Sequence, residues 1–119
     1  MEVGVDIVKV DRFEKLLEND SFKNKYFNKQ EIEYISNKNN AQTMAGIYAS
    51  KEALLKALGM GIGAGLNLKD IIVLHNVNGK PYFDIDATLN YYLNKNGASS
   101  VSLSISHDGE YVVAFCTIF

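Results

Sequence analysis

Cysteine, proline and long apolar runs are scarce in this sequence, and each shortage excludes a class of protein. The chain of 119 residues contains one proline and one cysteine, Cys116. A single cysteine cannot form an internal disulfide, and its place in the apolar run VVAFCTIF favours a buried, unreactive thiol. No apolar run reaches the roughly 20 residues of a membrane-spanning helix, and the N-terminus lacks the basic start and apolar segment of a signal peptide. We therefore expect a cytoplasmic protein with no membrane partner.

Basic residues are also too few for a general nucleic-acid-binding protein. The net charge is -2, whereas such domains carry an excess of lysine and arginine. One segment departs from this balance, because SFKNKYFNKQ, residues 21–30, contains lysines and no acid. The segment is either an ordinary solvated surface or a basic patch that meets an acidic partner, and its composition does not decide between them. We expect no nucleic-acid partner.

What is present is the composition of an ordinary globular protein. Hydrophobic residues make up 47% of the chain and charged residues 22%. These fractions differ from the low hydrophobicity and high charge of disordered sequences. A chain of this length supports one core, so residues 1–119 are predicted to form a single domain.

The N-terminal segment EVGVDIVKV alternates with the period of a β-strand. The alternation places Val3, Val5 and Ile7 on one face and puts Asp6 on the other, among valines. A carboxylate in such surroundings costs free energy unless it is paired, hydrogen-bonded or bound to a metal. Asp6 is therefore the first candidate for a functional residue.

Helix signals follow this strand. Capping-box patterns occur twice, at Asp11 with Glu14 and at Asn28 with Glu31. They predict a short helix through Leu17 and a second helix around residues 29–36. A longer helix should run from about Gln42 to Leu58, where glycines end it.

The C-terminal half has the pattern of a hairpin, a helix and a second hairpin. Asn78-Gly79 lies between DIIVLHNV and KPYFDI and predicts a two-residue type I′ turn, with Pro81 marking a short or edge strand. ATLNYYLNK is amphipathic and helical, and SVSLSIS can pair with EYVVAFCTIF through a turn at Asp108-Gly109. This order of elements predicts an α+β fold in which a mainly antiparallel sheet packs against one long helix, with short helices beside it.

The long helix carries charges beside its apolar face. Lys51 falls within the apolar arc, where its stem can be covered while its ammonium reaches the rim. Glu52 and Lys56 project from a strip of small residues as an i,i+4 pair, which is either an exposed ion pair or part of a site. If Glu52 lies near Asp6, a hard divalent cation such as Mg²⁺, held together with substrate phosphates, would relieve the repulsion between the two carboxylates. The lysines would then meet the remaining phosphate charge.

Alternating glycines follow this helix, at Gly59, Gly61, Gly63 and Gly65. They do not form the dinucleotide-binding fingerprint, which needs a strand before the glycines and a helix after them. Glycines here can let backbone N–H groups approach a phosphate, and they can equally be a plain helix stop. Both interpretations stay open at this point.

The two histidines differ in their sequence surroundings. His107 ends the serine-lined strand SVSLSIS and could contact a phosphate or transfer a proton, although a histidine at the end of a hairpin is often structural. Asp108 directly follows it. His75 lies in the middle of VLHNV and is assigned no function.

Four stretches of the sequence together resemble one enzyme family. GVDIVKVDRF near the start, YASKEALLKALGMGIG in the middle, and NGKPYF and SISHDGEYVVA towards the end are similar to the holo-[acyl-carrier-protein] synthases. These are the short members of the 4′-phosphopantetheinyl transferase superfamily. The resemblance implies the fold of that superfamily and the transfer of 4′-phosphopantetheine from coenzyme A to a serine of apo acyl carrier protein in fatty acid biosynthesis, with release of adenosine 3′,5′-bisphosphate. It also implies Mg²⁺ and a homotrimer with sites at the subunit interfaces.

The resemblance further implies roles for single residues. Asp6 and Glu52 match the metal-binding acids, and Arg12 matches an arginine that faces the acidic recognition helix of the carrier protein. The residues that match the coenzyme A site are Lys51, Lys56, Gly59, Gly61, Gly63 and His107. Lys56 is expected to stabilise charge that develops on the departing phosphate. The general base is either Glu52, directly or through a metal-bound water, or Asp108.

Two positions depart from the family pattern. The run before Lys51 commonly contains an arginine where this chain has Ile47, and the glycine loop often has a hydroxyl residue where this chain has Met60. One expected phosphate contact is therefore absent. Two other functions stay open: transfer to carrier domains of a secondary-metabolite pathway, and a non-catalytic module that binds coenzyme A or a carrier protein.

Overall fold

The computed structural model describes residues 1–61 and 63–119. They form a three-stranded antiparallel sheet, a separate two-stranded sheet, and helices packed against them. The strands are β1 (Glu2–Lys9), β2 (Val73–His75), β3 (Pro81–Phe83), β4 (Val101–Asp108) and β5 (Tyr111–Ile118). The α-helices are α1 (Asp20–Tyr26), α2 (Lys29–Lys38), α3 (Ala41–Ala57) and α4 (Ala87–Lys95), and 3₁₀ turns cover Val10–Phe13, Lys15–Glu18 and Leu68–Asp70. This architecture confirms the predicted α+β fold with one long helix.

The three-stranded sheet has the order β1-β5-β4, so the first strand joins the last hairpin of the chain. Asp6 pairs with Ala114 of β5, and Ala114 pairs on its other side with Ile105 of β4. Directly paired residues point to the same face of a sheet, so these three side chains share one side. Cys116 is buried on β5, and burial raises the pKa of its thiol to about 11, which confirms the predicted unreactive thiol.

α3 packs against the same face of the sheet, here called the inner face, and forms the centre of the core. A Cβ on Gly4 of β1 would clash with the carbonyl oxygen of Ala53 and would lie 2.8 Å from the backbone nitrogen of Ala57. Glycine is therefore what allows the strand to lie directly on the helix. The predicted apolar arc of the helix is buried: Met44, Ile47, Tyr48, Leu54, Leu55 and Leu58. Of the adjoining small residues, Ala45 and Ala49 are buried, whereas Gly59 at the end of the helix is exposed.

The helices before α3 agree only in part with the prediction. Asn28 and Glu31 form the predicted capping box, with Asn28 Oδ1 accepting from Glu31 N at 2.8 Å and Glu31 Oε1 accepting from Asn28 N at 2.9 Å. Asp11 and Glu14 form no such box, since two 3₁₀ turns occupy that segment. The sequence patterns did not predict α1, whose N-cap Asn19 accepts a backbone hydrogen bond from the first turn at 2.9 Å. Asn19 has no glutamate partner three residues later, so its capping signal is weaker.

The β2–β3 hairpin forms around a turn one residue earlier than predicted. Gly79 N donates to Asn76 O at 2.9 Å, so Val77 and Asn78 are the central residues of the turn. Gly79 follows with a φ of +82°. A turn followed by a glycine of positive φ is the pattern of a three-residue hairpin loop and not of a two-residue type I′ turn. Pro81 begins the short strand β3, as predicted.

The β4–β5 hairpin turns at Gly109–Glu110, one residue later than predicted. Asp108 pairs with Tyr111 and belongs to the strand. Gly109 has a φ of +59°, and glycine at the first central position is typical of a type II′ turn. As a strand residue, Asp108 directs its side chain to the opposite face from that of His107.

The face of the sheet that points away from α3, here called the outer face, carries exposed apolar side chains. Val3, Val5 and Ile7 of β1 are 56%, 52% and 62% exposed, and Phe115 of β5 is 45% exposed. Contiguous apolar surface of this kind is typical of an interaction site. Within the described parts of the chain, no helix combines the length and apolar character that crossing a membrane requires.

Candidate functional site

Asp6 and Lys56 form the best defined pair of the predicted site residues. Lys56 Nζ donates to Asp6 Oδ1 at 2.9 Å and to the carbonyl oxygen of Val5 at 3.0 Å. The Asp6 side chain is 15% exposed and that of Lys56 is 53% exposed, so the pair lies at the rim of the contact between β1 and α3. Gly4 makes this contact close enough for the lysine to reach the strand. Lys56 therefore pairs with the strand and not with Glu52 of its own helix.

Glu52 lies one helical turn before Lys56, beside Tyr48 and Arg12. Burial raises the pKa of the Tyr48 phenol, the negative charge of Glu52 raises it further, and the positive charge of Arg12 opposes both. The Arg12 guanidinium carbon lies 5.4 Å from the centre of the Tyr48 ring. Tyr48 belongs to the apolar arc of α3, and its i,i+4 spacing from Glu52 is the sequence signal for this contact. Arg12, Tyr48 and Glu52 thus extend the polar surface that begins at Lys56.

Asp6 and Glu52 are the carboxylates that could hold a metal ion here. Asp6 bonds to Lys56, which follows Glu52 by one helical turn, so both acids face the same part of the α3 surface. Within residues 1–61 and 63–119, no group of three or more metal-ligating side chains occurs. Two carboxylates fit Mg²⁺, which commonly takes one or two protein carboxylates and completes its shell with water and substrate phosphates.

Lys51 does not lie where the sequence predicted. Its side chain is fully buried, and Nζ donates to Glu31 Oε1 at 2.6 Å and to the carbonyl oxygens of Tyr26 and Leu68, each at 2.9 Å. Burial lowers the pKa of Lys51 to about 8, against the opposing charge of Glu31, and burial also raises the pKa of Glu31. All three ammonium protons are used inside the core. The predictions that this ammonium reaches the rim and meets coenzyme A phosphates are therefore wrong, and Lys51 instead ties α3 to α1, α2 and the 3₁₀ turn at Leu68.

The glycine segment ends α3, as predicted for a helix stop. Met60 N donates to Leu55 O at 2.8 Å and Gly59 N donates to Lys56 O at 3.0 Å, with a φ of +70° at Gly59. These two bonds are those of a Schellman motif. Among the described residues, apart from each glycine and its chain neighbours, no heavy atom lies within 4 Å of where a Cβ would be at three of the glycines, Gly59, Gly61 and Gly63. This open side leaves room for a ligand, while residue 62 of the predicted nucleotide loop lies outside the described residues.

His107 lines a different cleft, of about 200 Å³. His107 pairs with Val112 and lies on the inner face of the sheet, whereas Asp108 points to the outer face. The two residues therefore do not meet in one cleft. Elements α2, α3 and the β2–β3 hairpin complete the cleft, with Tyr34, Gly46, Ile47, His75, Gly79 and Pro81 in its lining.

Tyr34 and His75 are residues of this cleft to which the sequence patterns assigned no function. Their rings are stacked, with the centres 3.9 Å apart and the planes 4° apart. Tyr34 lies on α2 and His75 on β2, which are separated along the chain by all of α3. No local sequence signal could have predicted this pair, because tertiary packing brings the two elements together.

Four of the predicted site residues thus fall into two groups in one chain. Asp6, Glu52 and Lys56 lie towards the C-terminal end of α3, and His107 lies in the cleft at Gly46. An α-helix rises about 1.5 Å per residue, so Gly46 and Lys56 are separated by about 15 Å along α3. A ligand that contacts both groups must therefore be long, or must lie between two copies of the chain.

The chain is similar in sequence to a known enzyme family over nearly its whole length. The profile of the 4′-phosphopantetheinyl transferase superfamily matches residues 2–116. The holo-[acyl-carrier-protein] synthase of Sulfurovum sp. (strain NBC37-1) is 42% identical over 121 residues, which cover 99% of this chain and 96% of that protein. The holo-[acyl-carrier-protein] synthase of Treponema denticola is 40% identical over 108 residues, covering 89% of this chain and 87% of that protein.

Solved structures of similar proteins have the same fold. The holo-[acyl-carrier-protein] synthase of Neisseria meningitidis superimposes with a TM-score of 0.87 at 30% identity, covering 99% of this chain and 97% of that one. The Helicobacter pylori synthase in complex with coenzyme A gives 0.84 at 29% identity, covering 98% and 99%. The Bacillus anthracis synthase in complex with CoA (3′,5′-ADP) gives 0.79 at 31% identity, covering 98% and 94%.

Proposed function

Because the chain belongs to the 4′-phosphopantetheinyl transferase superfamily, we propose that the polar surface around Asp6, Glu52 and Lys56 is the transfer site of a holo-[acyl-carrier-protein] synthase. The chain transfers 4′-phosphopantetheine from coenzyme A to a serine of apo acyl carrier protein. The products are holo acyl carrier protein and adenosine 3′,5′-bisphosphate. The observation that carries the assignment of the site is the ion pair of the exposed Lys56 with Asp6, one helical turn from Glu52 and beside the open glycine segment. Fatty acid biosynthesis as the pathway and the cytoplasm as the location are further parts of the proposal.

In this reaction the serine oxygen forms a bond to the phosphorus that carries pantetheine. The bond from that phosphorus to the oxygen of adenosine 3′,5′-bisphosphate breaks, and the serine proton passes to a general base. Lys56 is more than half exposed and can donate to a phosphate oxygen close to Asp6. A donor already held in place stabilises charge on the departing phosphate without reorganising during the step.

Asp6 and Glu52 are the residues that would hold Mg²⁺. When bound, the ion would neutralise phosphate charge and polarise the phosphorus towards attack. Glu52 is the better candidate for the general base, because it lies at the proposed transfer site, one helical turn from Lys56, whereas Asp108 lies on the outer face of the sheet.

We place the complete sites at the interfaces of a homotrimer. The separation of His107 from Lys56 along α3 and the exposed apolar outer face both support an assembly in which neighbouring chains contribute different residues. Arg12 and Lys25 are exposed on the side of α1 and the preceding 3₁₀ turns. They are the proposed contacts for the acidic surface of the carrier protein.

The transfer itself is tested by following the intact mass of an apo acyl carrier protein incubated with the protein, coenzyme A and Mg²⁺, with and without EDTA. We expect a mass gain equal to one phosphopantetheine, and EDTA should abolish it. No gain across several apo carriers, from a protein with a native circular dichroism spectrum, would contradict the transferase assignment. Binding of coenzyme A without transfer would favour the non-catalytic module. The specific observation in favour of that module is that position 47 is isoleucine and not the arginine of the family pattern.

The metal-site assignment is tested by substitution of the two carboxylates. Asp6→Ala and Glu52→Ala should each lower kcat at least about a hundredfold, because each removes charge that acts on the reacting phosphate. The matched control is Glu33→Ala on the exposed side of α2, which should keep wild-type kcat. Wild-type turnover in a folded Asp6→Ala or Glu52→Ala variant would contradict the assignment.

A further inference from the structure

The cleft beside His107 holds a second histidine that the reaction described above does not use. His75 of β2 stacks on Tyr34 of α2, and both rings are partly buried. A side chain held face to face with another ring keeps one orientation, so the ring nitrogens of His75 point in fixed directions. A fixed donor at the wall of a cleft is suited to selecting a ligand group.

One cation, Lys38, lies near His75 just outside the lining of the cleft. The Lys38 ammonium lies 5.6 Å from the centre of the Tyr34 ring. Burial and, to a smaller extent, the charge of Lys38 lower the pKa of His75. His107 lines the same cleft, and none of its described lining residues is acidic. The cleft therefore favours an anionic ligand over a cationic one.

The rest of the lining suits a nucleoside. Ile47 and Pro81 provide apolar wall, and Gly79 of the hairpin has no atom within 4 Å of where a Cβ would be. Ile47 stands at the position where the family pattern commonly has an arginine, so α3 offers no cation there. Instead, His75 of β2 supplies a hydrogen-bond donor and Lys38 of α2 supplies a positive charge.

We propose that His75, oriented by Tyr34 and assisted by Lys38, is a specificity residue for the phosphate on the 3′ oxygen of the coenzyme A nucleotide, replacing the contact that Ile47 cannot make. This inference rests on the proposed function, since coenzyme A is the ligand only if the chain is the transferase. A ring N–H of His75 donates to the 3′-phosphate of a coenzyme A whose pyrophosphate lies at Lys56 of a neighbouring copy, and Lys38 adds charge at longer range. The 3′-phosphate is the group that distinguishes coenzyme A from 3′-dephospho-coenzyme A.

The test compares kcat and KM for coenzyme A and for 3′-dephospho-coenzyme A. His75→Phe keeps an aromatic ring to stack on Tyr34 and removes the N–H. It should raise KM for coenzyme A about tenfold, which is the loss of one hydrogen bond to a charged group. KM for 3′-dephospho-coenzyme A and kcat for both substrates should change less than about twofold. The preference of the enzyme for coenzyme A should therefore fall about tenfold.

Lys38→Met should lower the same preference by a smaller factor, about threefold, because Lys38 acts through charge and not through a direct bond. Lys95→Met is the matched control. Lys95 also lies in the last turn of its helix and over a tyrosine ring, 5.4 Å from the centre of Tyr91, but it belongs to α4, whereas Lys38 is the lysine whose charge acts on His75. Lys95→Met should leave the preference unchanged.

Binding measured without catalysis separates this inference from the proposed function. Calorimetric titration should show that His75→Phe weakens the binding of adenosine 3′,5′-bisphosphate about tenfold and leaves the binding of adenosine 5′-phosphate unchanged. Equal weakening of both ligands, or of neither, would overturn the role of His75 even if transfer is normal. If wild-type protein binds adenosine 3′,5′-bisphosphate with the predicted preference but never transfers phosphopantetheine, the role of His75 stands and the transferase assignment fails.

Discussion

At the scale of single residues, burial decides which charges can meet a substrate. Lys51 and Lys56 lie on one helix, yet the side chain of Lys51 is 0% exposed and that of Lys56 is 53% exposed. The Lys51 ammonium donates its three hydrogen bonds to Glu31 and two carbonyl groups, whereas Lys56 donates to Asp6 at the rim. One lysine therefore maintains the fold, and the other is available for phosphate chemistry.

Lys51→Met tests the structural role of the buried lysine. We expect a loss of about 3–5 kcal/mol in the free energy of unfolding at pH 7, because Glu31 is left buried without its partner. Lys56→Met, whose ion pair is partly exposed, should cost less than about 1 kcal/mol. Urea denaturation followed by circular dichroism measures both. Adding Glu31→Gln to Lys51→Met should recover part of the loss, and equal losses in the two lysine variants would contradict this assignment.

His75 gives the protein a predictable response to acid. Its pKa in the folded protein is lowered from 6.5, mainly by burial and then by Lys38. Below pH 6.5 the unfolded chain therefore binds more protons than the folded one, and stability is lost as the pH falls through the folded pKa. In His75→Gln this contribution should disappear, so the loss of stability between pH 7.5 and pH 5 in urea denaturation should be smaller than in wild type. An identical loss in both proteins would contradict the prediction.

At the scale of elements, the contact between β1 and α3 positions the transfer site. Asp6 reaches Lys56 because the strand lies directly on the helix, and Gly4 is the residue that permits this. The Schellman motif then ends α3 next to the same pair, so the open glycine segment begins where the charges are. A small residue in a strand thus determines the geometry of a charged site two residues later.

Gly4→Ala tests this contact. The added methyl group would meet backbone atoms of Ala53 and Ala57, which cannot move aside as a side chain could. We expect the free energy of unfolding to fall by about 3 kcal/mol or more. Transfer activity should fall as well. Gly59→Ala is the control: it has open space but a φ of +70°, and should cost about 1 kcal/mol. Urea denaturation would contradict the prediction if Gly4→Ala were the milder change.

At the scale of the whole molecule, the outer face of the sheet is the largest feature that the single chain leaves unexplained. Its exposed apolar side chains come from the two strands β1 and β5, while β4 contributes serines. Burying this surface between copies would be favourable by roughly 25 cal/mol for each Å² of apolar area removed from water. The homotrimer is the assembly that we propose for this purpose.

Ile7→Lys tests the assembly. Ile7 is 62% exposed in the single chain, so a lysine there leaves the fold intact but opposes burial against another copy. Light scattering should give three times the chain mass of 13.2 kDa for wild type and a smaller mass for the variant, with loss of transfer. Val77→Lys, at the fully exposed tip of the β2–β3 hairpin, is the control and should change neither. A trimer of Ile7→Lys, or a wild-type monomer with full activity, would contradict the proposal.

Much of the fold could be predicted from local sequence patterns. The alternation of β1, the capping box of Asn28 and the glycine stop of α3 depend on residues close together in the chain, so their physics is readable from the sequence. Both turns lie one residue from their predicted positions, because a glycine of positive φ can occupy either central position of a two-residue turn or can follow the turn. The sequence patterns do not predict α1, because its cap is a single asparagine.

By itself, the sequence determined the α+β class, the long helix, the family and the candidate charges, because these depend on residue spacing and on motifs that lie within short stretches. The tertiary structure decided which of those charges are usable. It buried Lys51 against Glu31, paired Lys56 with Asp6, turned Asp108 away from His107 and stacked His75 on Tyr34. Each of these outcomes depends on contacts between elements distant along the chain, and the free energy of burying a charge is set by those contacts and not by its sequence neighbours.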